Sequence, residues 1–183
     1  MEGNNQSAVV GEALDSLLVV VVRNAAGDPL AAKNTSWAVT AGGGQLLQSE
    51  VSTNLAGEAG NIYEVGANPG ANTVEVTVTG NPTVKTSFTA TATAAPATAG
   101  VNVTDNQFVP DAVQIATGGK VTWTWAGSND HNLIWVSGGF ANAGTKSSGT
   151  HEVIFGASGS YDYYCSIHGS PNSGMHGKVE VKD

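Results

Sequence analysis

The 183-residue chain reads as all-β, two β-sandwich domains in series, and three observations predict this. No stretch sustains a helical period over the length a helix needs. Short apolar or alternating runs recur instead, separated by turns rich in Gly, Pro and Asn. The run Ala90-Thr91-Ala92-Thr93-Ala94-Ala95-Pro96-Ala97-Thr98-Ala99-Gly100 holds one proline and no large apolar side chain, and it divides the chain into two parts of ordinary domain size. The expected domains are 1–95 and 100–183, joined by a linker at 94–99 that allows limited reorientation.

The elements follow in order. Residues 17–22, Leu-Leu-Val-Val-Val-Val, form a core strand ending at the turn Asn24-Ala25-Ala26-Gly27-Asp28-Pro29. Six apolar residues are too few for a membrane span, which takes about 20. Strands are predicted at 35–40 ahead of Gly42-Gly43-Gly44, at 60–65, at 72–78 and at 84–93. In the second half, residues 120–126 alternate Val121, Trp123 and Trp125 against Thr122 and Thr124, so one face meets a core and the other faces out. Strands are also expected from His131 through the apolar run to Val136, at 151–155, at 161–164 and at 178–181.

Chemistry concentrates near the end. Cys165, the only cysteine, lies with His168 and Met175, the only internal methionine, within eleven residues. Taken singly, such a cysteine is more often a small buried hydrophobe, His131 a satisfied core histidine and Met175 a gap filler. Together they form a donor set. Structural zinc takes four Cys or His ligands and has little use for a thioether. One thiolate, two imidazoles and a weak axial thioether instead suit copper, which can change charge in a trigonal His, His, Cys plane with a long fourth bond. Met175 tilts the choice of metal.

From about Gly100 to Val181 the chain resembles a cupredoxin of plastocyanin and halocyanin type. The resemblance is carried by Phe108-Val109-Pro110, Gly119-Lys120-Val121-Thr122-Trp123, Asp130-His131-Asn132, Tyr164-Cys165-Ser166-Ile167-His168 and the closing Met175-His176-Gly177-Lys178-Val179. It implies a Greek-key barrel holding one copper per chain through His131, Cys165, His168 and Met175, with one-electron transfer as its task. It also implies that Asn132 ties the ligand-bearing loops together, that electrons leave by the edge of His168, and that Tyr164 matches a tyrosine of a second electron path. The departure is the loop: six residues, 169–174, separate His168 from Met175, more than the family usually has. His176 is the reserve axial candidate, and His151 reads as a surface residue.

The first half resembles the bacterial immunoglobulin-like repeats of invasin and intimin type. Ala26-Gly27-Asp28-Pro29-Leu30, Trp37-Ala38-Val39-Thr40-Ala41-Gly42-Gly43-Gly44 and Pro69-Gly70-Ala71-Asn72-Thr73-Val74 carry this likeness. They are turn and core positions, and the half has no catalytic constellation. The resemblance implies a spacer or adhesive module.

Net charge is −8, with eight acids against three bases before the linker and seven against four after it. Bases neither cluster nor interleave with aromatics, so nucleic-acid binding has no electrostatic footprint. An acidic surface steers a basic redox partner or simply keeps the protein in solution. Multicopper oxidases need several His-x-His pairs and a binuclear purple centre needs two cysteines, so the reading is not an enzyme. Copper delivery, or adhesion with a structural copper, remains open beside electron transfer. The start, Met1-Glu2-Gly3-Asn4-Asn5-Gln6, lacks a signal-peptide pattern. Since both families are normally exported, the resemblance implies an extracytoplasmic protein whose export segment or lipid anchor has been removed.

Overall fold

A computed structural model describes all residues from Met1 to Asp183 and contains strands but no helix. The chain divides into two compact units, Met1–Ala94 and Ala95–Asp183.

The first unit holds β1 (Gln6–Val9), β2 (Leu18–Val21), β3 (Asn34–Ala41), β4 (Gln45–Leu46), β5 (Glu50–Ser52), β6 (Glu58–Asn61), β7 (Tyr63–Glu64), β8 (Gly70–Val78) and β9 (Asn81–Thr93). A five-stranded sheet of order β1-β9-β8-β3-β5 is accompanied by the pairs β2-β6 and β4-β7. The core gathers Leu18, Val20, Trp37, Tyr63, Val74, Val76 and Phe88, with Trp37 stacked on Phe88 at 5.8 Å between ring centres. Trp37 buries its polar edge safely because Nε1 donates to Thr35 Oγ1 at 2.9 Å.

Three differences from the sequence reading stand out here. The apolar run 17–22 sends only alternate residues, Leu18 and Val20, into the core. The strand expected at 60–65 is broken at Ile62 into β6 and β7. The strand β1 was not expected, since Gln-Ser-Ala-Val has no apolar alternation; it forms by pairing parallel with the end of β9, Gln6 opposite Ala90.

The second unit comprises β10 (Thr98–Thr104), β11 (Gln107–Val109), β12 (Ala112–Ala116), β13 (Lys120–Trp125), β14 (His131–Trp135), β15 (Ala143–Lys146), β16 (Gly149–Ile154), β17 (Gly159–Ser170) and β18 (Ser173–Lys182). Its sheets have the orders β11-β10-β13-β16 and β12-β18-β17-β14-β15. Parallel pairing of β10 with β13 and of β12 with β18 joins strands that do not follow one another in the chain, which passes between the two sheets to make these pairs. The expected linker differs too: Pro96 O accepts the Ala116 amide and Ala97 O the Lys120 amide, so residues 96–99 are bonded into this unit and already include the start of β10.

Alternation along β13 is as the sequence predicts, with Val121, Trp123 and Trp125 buried. Trp123 meets Trp135 and Tyr163 edge-on at 5.5 and 5.3 Å, and Phe108 meets Tyr163 at 4.8 Å. These edge-to-face contacts add to area burial because each positive ring edge meets a negative face. Burial pushes the Tyr163 phenol far above its usual range, eased slightly by the Trp123 indole. Tyr163 stands opposite Gly177 in the β17-β18 ladder, and a Cβ on Gly177 would come within 2.6 Å of the phenol oxygen. Glycine is required there by contact rather than by dihedral angle.

Candidate metal centre

His131 opens β14 and is fully buried, as is Cys165 in the middle of β17. His131 is anchored through its backbone, its carbonyl accepting the Trp125 indole N–H at 3.0 Å. Next to it, Asn132 grips β17 twice. Its Nδ2 donates to Ser166 Oγ at 2.8 Å and its Oδ1 accepts the Ser166 amide at 2.9 Å. The tie expected of Asn132 is therefore present, with Ser166 as the partner that the sequence reading did not name. Asn132→Ala should lower the unfolding free energy of this unit by about 1–3 kcal/mol, the net worth of two such bonds, and speed loss of bound metal. Denaturant titration and chelator competition measure the two effects, and unchanged values in both would refute the role.

The segment expected as a ligand loop is instead part of two long strands. Tyr164 pairs with His176 and Gly169 with Gly174, so Cys165, Ser166, Ile167 and His168 together oppose Met175 alone. This wide bulge turns Cys165 and His168 toward the same pole. Beyond it the ladder resumes through Gly169–Gly174 and Ser170–Ser173, closed by Pro171-Asn172. The six residues 169–174 thus form a small hairpin beyond His168 and Met175. Gly169 is needed where the strands cross, since any Cβ there would collide with the Met175 backbone, and Gly174 takes φ +70°, a left-handed value natural for glycine.

Three donor atoms converge at this pole. Cys165 Sγ lies 3.7 Å from His131 Nδ1 and 3.8 Å from His168 Nδ1, and the two Nδ1 atoms are 3.0 Å apart. The centre of that triangle is about 2 Å from each corner, the length of a metal–imidazole bond and a little under the ~2.3 Å of a metal–thiolate bond, which an ion slightly out of the plane restores. Burial pulls the His131 pKa below its usual value, helped by His168 and opposed by Asp105 and Asp130. A neutral imidazole with its lone pair free is the form a metal binds.

Met175 is buried on the inward side of β18, in the same core as Cys165. His176 points the other way. It is exposed, and its Nδ1–H donates to Gly174 O at 2.9 Å, which leaves it outside the His131, Cys165, His168 cluster. Tyr164 also lies on the outer face, half-buried, outside the aromatic core. His151 is half-buried rather than a plain surface residue: Nε2–H donates to Ala141 O at 3.1 Å and the ring tilts over Trp123. Burial lowers its pKa, and it takes no part in the cluster.

Asp105 is a further residue at this pole, outside the set expected from the sequence. It sits in the two-residue turn between β10 and β11, where Asn106 takes φ 67°. Its Oδ1 accepts the amides of Ser128 and Asn129 at 2.7 and 2.8 Å and lies 4.0 Å from His131 Nε2. Those amide bonds hold its carboxyl below the usual range. An Asp-Asn turn one residue ahead of Phe108-Val109-Pro110 was the available signal, but nothing local tied it to a histidine 26 residues on.

A β-sandwich with two imidazole Nδ1 atoms and one cysteine sulfur gathered at one pole has the architecture of a cupredoxin. Residues 95–182 match the family described as copper binding proteins, plastocyanin/azurin family. Amicyanin-alpha of Methylorubrum extorquens is 33% identical over 87 residues, 45% of this chain and 70% of that protein. Among solved structures, a purple cupredoxin from Nitrosopumilus maritimus is 26% identical, covering 46% of this chain and 99% of that one at a TM-score of 0.40. The oxidized plastocyanin of Dryopteris crassirhizoma is 24% identical, with 46% and 100% covered and a TM-score of 0.38.

The chain belongs to the plastocyanin/azurin family of copper-binding proteins. Copper is the cofactor of that family, and the soft sulfur with two imidazoles is a donor set that fits it.

Proposed function

We propose that the second unit is a mononuclear type 1 copper electron carrier, with His131, Cys165 and His168 as the trigonal ligands and Met175 as the weak axial one. The observation that carries this reading is the Nδ1, Nδ1, Sγ triangle, whose size suits a single ion. The register adds support for Met175, because Cys165 and Met175 face inward while their neighbours Tyr164 and His176 face out.

Bound copper supplies a centre that alternates between Cu(II) and Cu(I), giving and taking one electron. The chain's own residues do the rest. His131 and Cys165 are fixed from behind by packed strands, and the Asn132–Ser166 tie keeps their separation constant. Little ligand movement means little reorganisation when charge changes. His168 is the half-exposed ligand, beside Ile167, 47% exposed, and the Pro171 turn, so its ring edge is the natural electron exit. A partner docking there would meet an apolar rim on a chain of net charge −8. The partners are redox proteins, donor and acceptor, reached outside the cytoplasm, and no catalysed reaction is assigned. No helix of the chain is long and apolar enough to cross a membrane.

For the first unit the reading is an immunoglobulin-like domain that spaces or presents the copper unit. The Trp37–Phe88 stack within a core of its own supports a separately folded module. Surface-binding assays on the whole chain separate spacer from adhesin.

Adding Cu(II) to the metal-free protein tests the main reading. An intense visible thiolate-to-copper band with the electron-spin-resonance pattern of a trigonal Cys site is the expected result. A colourless, tetragonal copper signal would overturn it. Met175→Leu should retain copper and the band but shift the redox equilibrium toward Cu(I) about tenfold or more, each tenfold being 59 mV for one electron. The thioether favours the more highly charged ion, so its loss raises the potential. Voltammetry reads the shift, and an unchanged potential would remove Met175 from the ligand set.

A further inference from the structure

The fully buried His131 has one ring nitrogen in the donor triangle and the other, Nε2, buried with no hydrogen-bond partner. A buried donor left unmatched is costly, so what faces it matters. The group there is the Asp105 carboxylate, whose Oδ1 is 4.0 Å away. That oxygen is held in place. Two backbone amides, from Ser128 and Asn129, bond to it, and both belong to the segment leading into β14. Gly127 makes room for it, because a Cβ at that position would collide with Oδ1.

We infer that Asp105 is a positioning residue for the copper centre: it faces the Nε2–H of His131 and fixes the tautomer that leaves Nδ1 free to bind. The inference rests on the copper reading above. The logic is that of the carboxylate–histidine–metal arrangement, in which a carboxylate behind the ring orients the imidazole and raises its basicity. At 4.0 Å the contact is electrostatic rather than a direct hydrogen bond. The same carboxylate therefore sets the loop and the ligand together. Its negative charge also favours Cu(II), the more positive state.

Asp105→Asn separates these roles, since the amide oxygen can still accept both loop amides while the charge is gone. Three readouts apply to the full chain at neutral pH. In the copper-loaded protein, the redox equilibrium should move toward Cu(I) by about three- to tenfold, tenfold being 59 mV, with the visible band retained. In the metal-free protein, two-bond proton–nitrogen spectra should show His131 mainly as the Nε2–H tautomer and show that preference weakened in the variant. Asp105→Glu should restore part of both. The control is Asp130→Asn, which removes a nearby charge lacking the loop bonds; a smaller shift than for Asp105→Asn is expected. The inference is overturned if Asp105→Asn changes neither potential nor tautomer, or if Asp130→Asn matches it. Absence of the visible band in the unaltered protein would instead defeat the copper reading itself.

Discussion

Cys165→Ser is expected to abolish the visible band completely and to weaken copper binding by more than about 100-fold, beyond the cost of losing an outer partner of a metal ligand. The band arises from charge moving between thiolate sulfur and Cu(II), and serine has no soft, polarisable donor to replace it. A serine hydroxyl also stays protonated near neutral pH. Cys165 is fully buried among Leu133, Tyr163 and Met175, so the new hydroxyl adds a cost of about 1–3 kcal/mol if it finds no partner. Circular dichroism checks that the sheets persist. Spectral titration with copper is the deciding measurement, and a band surviving the substitution would remove Cys165 from the site.

Trp123→Ala should lower the unfolding free energy of the copper unit by about 3–5 kcal/mol, the range for emptying a large aromatic site in a packed core. Trp123 is fully buried and touches Trp135 and Tyr163 edge-on. Tyr163 stands two residues before Cys165 on the same face, so the hole would also loosen the strand that presents the thiolate. Denaturation followed through the visible band isolates this unit, because the first unit carries no donor cluster. A loss under about 1 kcal/mol would mean that the surrounding rings collapse to fill the space.

Much of the second unit was legible in the chain. The alternation of Val121, Trp123 and Trp125 against threonines states which face of β13 is buried, because side chains on a strand point to opposite sides in turn. The donor set and its order were equally plain, since metal preference follows from the chemical type of each ligand. Asn132 was singled out and does bridge to the Cys165 strand. Other features were hidden. The strand β1 has no pattern of its own and exists through its neighbour β9, and residues 96–99 look like a linker until their carbonyls are seen accepting amides from the second unit.

What the sequence by itself determined was the strand periodicity, the division near residue 95 and a set of side chains of copper-binding type, His131, Cys165, His168 and Met175, all properties of residue type and spacing. Only the tertiary structure decided that four residues bulge against Met175, that residues 169–174 become a hairpin beyond that bulge, and that Asp105 comes to His131 from the other sheet. Those depend on the register between strands far apart in the chain. Register is set by which faces can be buried together, a condition met jointly by many side chains and visible in no local segment.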